Sequence, residues 1–234
     1  MTVSLTASIT SLYDAFSRVP RPVALDYCAC CFNPEEERAV LADVPLRSLP
    51  VEALRPYTAN VIFNVGGPAD LRYFLPRMLE IAAGDGFDRP DLEPLLNRMY
   101  HAGWHRWQPG ERDAVRAFLT ALWAEERNGD VLCAIGNAED DLTPYLAAWL
   151  SALTDPATRP AEAAHLLTLL RDDYERGRKG PRLVNAFWDG RPDQHAQVLA
   201  WLAGPELQLA LFAAFEVTDD EDTARILTDI DVLL

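Results

Sequence analysis

The chain carries 17 prolines, and most stand at the start of an apolar stretch with helical spacing. Proline lacks a backbone N–H and holds φ near −65°, so it fits the first turn of a helix but disrupts a helix interior or a central strand. Punctuation of this kind predicts many short helices in place of a sheet. Asn33-Pro34-Glu-Glu-Glu37 is the clearest start. Asn33 is a capping residue, Pro34 suits the first helical position, and three carboxylates sit at the positive end of the helix dipole. Thr143-Pro144, Asp155-Pro156 and Thr218-Asp-Asp-Glu221 predict further starts, the last as a capping box. Ala and Leu number 33 each, whereas Val and Ile together number 20, a balance that favours helix over strand.

Apolar spacing predicts an all-α protein of about ten helices, packed as an antiparallel bundle or a curved helical stack. The predicted helices run near Thr6–Arg18, Asn33–Asp43, Pro50–Asn64, from Pro68 onward, Asp91–Ala102, Pro109–Arg127, Thr143–Leu153, Pro160–Tyr174, Pro192–Ala203, Pro205–Phe215 and Asp219–Leu233. Pro76 lies inside the fourth and predicts a kink. Gly84-Asp-Gly86 reads as a turn. Only Val61–Val65 and Val131–Ile135 could pass for strands, and each is a single short run that cannot build a sheet alone. Residues 1–234 are expected to form one helical domain, with a weak division near 176–181, where Arg176, Gly177, Arg178 and Lys179 look like a linker.

Charge narrows the function. A net charge of −15 repels phosphate backbones, so nucleic-acid binding is not expected. No apolar run approaches the ~18 residues of a membrane span. The first residues show no signal-peptide layout, so a soluble cytoplasmic protein is the expectation. Three of the four cysteines, Cys28, Cys30 and Cys31, lie within four positions, unlike the spread of a secreted disulfide framework.

Several strings have chemical content. Cys28-x-x-Cys31 can place two thiolates on one metal ion, zinc being the expected one, or close a redox disulfide. Zinc needs further ligands, and Cys30, Cys133, His101, His105, His165 and His195 are the soft or imidazole candidates. His101-Ala-Gly-Trp-His105 has the i, i+4 spacing of paired ligands, although Gly103 interrupts a helix there and the Glu of a zinc protease motif is missing. The alternative is that the cysteines are small loop residues and that both histidines pack beside Trp104 and Trp107. Asp70, Arg72, Tyr73 and Arg77 form the candidate ligand-binding set, because guanidinium forks clamp carboxylates or phosphates. Structural ion pairing is the competing reading. Acidic clusters at Asp140-Asp141, Asp172-Asp173 and 219–222 read as caps and solvated faces before they read as magnesium sites. No nucleophile elbow, phosphate-binding loop or dinucleotide fingerprint is present, and Gly66-Gly67 reads as a helix stop before it reads as an anion cradle.

Cys28-x-x-Cys31 before an acidic helix start, Asp70-Leu-Arg-Tyr-Phe-Leu-Pro-Arg-Met-Leu-Glu80, Trp104-x-x-Trp107 and a helix ending Ala121-Leu-Trp123 together resemble a family of uncharacterised bacterial proteins. That family pairs an N-terminal Cys-x-x-Cys with an Asp-x-Arg-x-Phe-Leu-Pro-Arg segment. The likeness covers residues 25–125 and implies no activity. Tyr73 stands where the family has His, and Gly66-Gly67-Pro68 where it has a Thr-Trp-Gly turn.

The sequence thus points to a helical binding protein whose partner is another protein. The alternative is a metal- or thiol-dependent protein built on Cys28 and Cys31, and whether it is an enzyme stays open. Substitution of both cysteines by serine is expected to be tolerated in the first case and to abolish the metal or redox response in the second.

Overall fold

In the computed structural model, which describes residues 3–84, 86–87, 91–178 and 180–234, the prolines do open helices. The described residues are 67% helical, 3-10 turns included, with twelve α-helices among them, and the fold is predominantly all-α. No single helix among them is long and apolar enough to cross a membrane. The chain divides into two compact units, Met1–Glu125 and Glu126–Leu234.

The first unit holds α1 (Leu5–Phe16), α2 (Pro34–Val40), α3 (Val51–Asn60), α4 (Pro68–Ala82), α5 (Leu92–His101) and α6 (Pro109–Glu125), with single 3-10 turns at Leu46–Ser48 and Trp104–Arg106. α1 packs on α6 and α4. Their apolar stripes meet in a core that includes Leu12, Leu71, Phe74, Leu75, Met78, Trp104 and Phe118. Local chemistry sets the ends as expected. Asn33 Oδ1 accepts from the amides of Glu35 and Glu36 at 2.9 and 3.1 Å, and Glu36 accepts from the Asn33 amide, closing a capping box. α4 runs continuously through Pro76, so the proline removes one hydrogen bond without ending the helix. Of the turn expected at Gly84-Asp-Gly86, the central residue lies outside the described residues.

The second unit holds α7 (Gly129–Ala138), α8 (Thr143–Thr154), α9 (Arg159–Asp172), a hairpin of β1 (Tyr174–Gly177) and β2 (Gly180–Leu183), a 3-10 turn at Ala186–Trp188, then α10 (Pro192–Leu202), α11 (Pro205–Glu216) and α12 (Glu221–Leu233). The strands pair antiparallel, with Tyr174 opposite Leu183. The stretch expected as a linker near 176–181 is therefore this hairpin, within the second unit; its Lys179 lies outside the described residues. Trp149 of α8 and Trp201 of α10, alike in their local sequence, stack at 5.4 Å.

Four local expectations need correction. Val131–Ile135 is not a strand but the middle of α7, whose residues from Val131 to Ala138 are all buried. A short, mostly apolar run of buried residues reads equally well as a buried strand or a buried helix, so local pattern alone does not separate them. Val61–Val65 is not a strand either; α3 ends at Asn60 and a tight turn follows, with only isolated bridges from Val65 to Tyr27 and Val61. Two starts shift along the chain. α9 begins at Arg159, because Asp155 is spent on a turn to the Ala157 amide, and α12 is capped by Asp220, not Thr218.

Buried Arg191 closes α7. Its Nε donates to the Gly136 carbonyl at 2.9 Å, and one terminal nitrogen reaches the Glu139 carbonyl at 2.6 Å and Asp140 at 3.1 Å. Cationic donors at a helix C-terminus satisfy carbonyls that no later turn can serve.

Candidate functional site

Cys28 follows a short bridge between Tyr27 and Val65. Its amide donates to the Asn64 carbonyl at 2.9 Å, and the Gly66 amide donates to the Asp26 carbonyl at 2.7 Å, so the segment before the cysteines is strapped to the turn after α3. The Cys28 carbonyl then accepts from the amides of Cys31 and Phe32 at 2.9 and 3.1 Å, curling residues 28–32 into a single helical turn. Phe32 anchors the far end: it is 2% exposed and meets the Tyr27 ring edge-on at 5.3 Å. The capping box of α2 begins one residue later.

This frame leaves Cys28, Cys30 and Cys31 exposed, as free thiols. Their sulfurs lie within 4.8 Å of one another, with Cys28 and Cys30 at 2.7 Å and Cys30 and Cys31 at 3.4 Å. Such a group could hold a metal ion. The thiols are not equivalent. Hydrogen bonds from the Cys30 thiol and amide, and then from those of Cys31, pull the Cys28 thiol below its ordinary range despite some desolvation. Hydrogen bonding to Cys28 and Cys31 and the charge of those neighbours push the Cys30 thiol up to about 11. Cys28 therefore ionises ahead of Cys30.

A depression of about 340 Å3 borders Cys28 and is walled by Asp26, Tyr27 and the turn from Ile62 to Gly66. Ile62 has φ of 75°, a left-handed conformation that strains a β-branched residue. Among the described residues it is the only non-glycine with positive φ. The next side chain, Phe63, is 56% exposed. Gly66 also has positive φ, and a Cβ there would sit 2.9 Å from Asp70 Oδ2, so glycine is needed on both counts.

The sequence-predicted metal ligands divide. Cys28 and Cys31 come together, and Cys30 joins them as the third sulfur. Among the described residues no histidine belongs to this group. His101 ends α5 with its ring 5.4 Å from Phe63, and His105 lies 4.2 Å from Trp104 and 5.7 Å from Tyr100. Both histidines thus pack among aromatic rings.

Each predicted ligand-binding residue has a separate contact inside the first unit. Asp70 accepts from the Gly67 amide at 2.7 Å, so the glycine amide that could have met an anion already faces a carboxylate. Arg72 pairs with Glu111 at 2.5 Å and lies over the Trp107 ring at 5.7 Å. Tyr73 meets Phe74 edge-on at 5.0 Å. Arg77 donates to the Leu49 carbonyl at 3.0 Å and to Glu80 at 2.7 Å. The acidic clusters behave as caps and pairs: Asp140 holds Arg191, Asp141 accepts from the Thr143 amide, Asp173 from the Asn185 amide and Asp220 from the Thr223 amide.

Sequence reading missed Cys30 as an equal member of the thiol group. Its signal was adjacency, since in Cys28-Ala-Cys-Cys31 one helical turn brings all three sulfurs together. The strained Ile62 and the exposed Phe63 left no signal at all, because backbone strain is a tertiary property. No family model matches the chain, and neither curated proteins nor solved structures give a match.

Proposed function

We propose that the chain binds a thiophilic metal ion, zinc first among them, through Cys28, Cys30 and Cys31. The observation that carries this reading is the grouping of three exposed sulfurs within 4.8 Å on one strapped turn. Thiolates bonded to zinc at about 2.3 Å stand roughly 3.8 Å apart in a tetrahedral site, a spacing inside the range this turn presents. Cys30 resists ionisation first because its thiol is hydrogen-bonded to Cys28 and Cys31, and then because thiolates held so close repel one another. A bound cation removes that repulsion and displaces the proton. Soft sulfur donors without a carboxylate favour zinc or monovalent copper over magnesium or calcium. Zinc takes four ligands, so three from the turn leave one position for water or an outside group.

The test is elemental analysis of the full chain, purified without chelator or histidine tag and reconstituted with zinc. The expected result is about one ion per chain, lost in Cys28→Ser, Cys30→Ser and Cys31→Ser with unchanged circular dichroism. His101→Ala and His105→Ala are expected to keep the ion. Absence of metal after reconstitution, or full occupancy in the triple serine variant, would overturn the proposal. Loss in His101→Ala with retention in Cys30→Ser would return the ligand set to Cys28, Cys31 and the histidines.

A further inference from the structure

We propose that the groove between α11 and α12 docks a basic amphipathic helix of another protein. This inference is independent of the cysteine turn and lies wholly in the second unit. α11 buries Leu207, Ala210, Leu211 and Ala214 against its neighbours. On its outer side it leaves Leu209, Phe212 and Phe215 in water, Phe212 at 65% exposure. Isolated exposed apolar residues are ordinary, but several large ones beside a concavity form a recognition patch. The concavity measures about 320 Å3 and is walled by Phe212 and Phe215 on one side and by Leu227 of α12 on the other.

Charge decides the occupant. Glu216 and Asp231 line the same groove and are exposed. Nearby Asp222 and Asp229 are paired with Arg225 and Arg171, whereas Glu216 and Asp231 have no cationic partner among the described residues. A second copy would bring the same two carboxylates and a further net charge of −15. An anionic lipid surface meets the same repulsion. A helix with apolar residues at i, i+3, i+4 and i+7, flanked by Lys or Arg, fills the groove and neutralises both carboxylates.

The probe is a fluorescein-labelled amphipathic peptide of Leu and Lys, about 18 residues long or five helical turns, titrated with the full chain and followed by anisotropy. The comparison peptides are a scrambled version with no apolar face and a Leu/Glu version of the same pattern. Saturable binding of the amphipathic Lys peptide is expected, with both comparison peptides at least about tenfold weaker. Phe212→Ser and Phe215→Ser, at exposed positions where the fold should be spared, are each expected to weaken it about tenfold with unchanged circular dichroism. Glu216→Lys with Asp231→Lys should shift preference toward the Leu/Glu peptide. Equal binding by wild type and both Phe variants would reduce the effect to nonspecific charge and overturn the proposal. A dimer in sedimentation velocity that Phe212→Ser abolishes would assign the groove to a second copy. Phosphatidylserine vesicle binding lost in the same variant would assign it to a membrane. Either result overturns the proposal.

Discussion

At the scale of single residues, the three thiols of the exposed turn differ because each is the other's environment. The Cys28 sulfur collects hydrogen bonds from two thiols and two amides, and its neighbours carry the cost as a raised Cys30. Iodoacetamide at neutral pH, in metal-free protein under reducing conditions, is therefore expected to label Cys28 ahead of Cys30. Peptide mass spectrometry over time reads the order, and Cys30 labelling first would refute the hydrogen-bond account. Another residue-scale constraint lies at Gly136. A Cβ there would stand 2.6 Å from Cζ3 and 3.0 Å from Cη2 of Trp188, a ring that is itself only 3% exposed. Alanine would improve helix propensity by about 1 kcal/mol, but overpacking against a fixed aromatic ring costs about 1–3 kcal/mol. Gly136→Ala is accordingly expected to lower stability in urea titrations, and an unchanged or higher midpoint would mean that Trp188 can move aside.

At the scale of elements, polar groups join helices whose apolar stripes alone leave the alignment loose. Glu80 of α4 accepts from the Tyr13 hydroxyl of α1 at 2.7 Å, from Arg77 at 2.7 Å and from Arg47 of the 3-10 turn at 3.0 Å. Burial alone would raise the Glu80 carboxyl, but these three donors outweigh it and hold it below its ordinary range. A depressed carboxyl stabilises the fold above its unfolded-state pKa, and that contribution fades as pH falls through the lower folded-state value. Glu80→Gln is expected to destabilise the protein at neutral pH and to converge with wild type in acid. Thermal unfolding of the two proteins from neutral to acid pH checks this, and a constant gap across the range would show that the carboxylate charge is not what joins the elements. Arg77 and Arg72, attractive in the sequence as ligand clamps, serve joints of this kind, since each meets a carboxylate of its own unit.

At the scale of the molecule, 36 acidic and 21 basic residues leave a net charge of −15. Like charge gathered by folding opposes the folded state, and salt, with a Debye length of about 10 Å at 0.1 M, screens that repulsion. The melting temperature is therefore expected to rise between low and physiological ionic strength. A fall with salt in the metal-free protein would mean that ion pairs such as Arg72–Glu111 and Arg77–Glu80 outweigh the general repulsion. The same charge leaves few anionic partners open to this chain and favours cationic ones, from a metal ion at the thiol turn to a basic helix at the α11–α12 groove.

The boundary between what sequence determines and what tertiary structure decides follows the range of the forces. Helix class, the proline-marked starts and the capping box at Asn33 are set by interactions within four residues, and they were legible in the chain alone. The grouping of Cys28 and Cys31 was legible for the same reason, since one turn spans them. α7 was not legible, because a short, mostly apolar buried run fits a buried strand as well as a buried helix. The roles of Arg72 and Arg77 could not be read either, since Glu111 lies 39 positions from Arg72 and the Leu49 carbonyl 28 positions from Arg77. The Ile62 turn that frames Cys28, and the α11 face left in water, exist only once distant segments have packed. Local chemistry placed the sulfurs on one turn; the packing of α3 and its following turn against that segment decided what surrounds them.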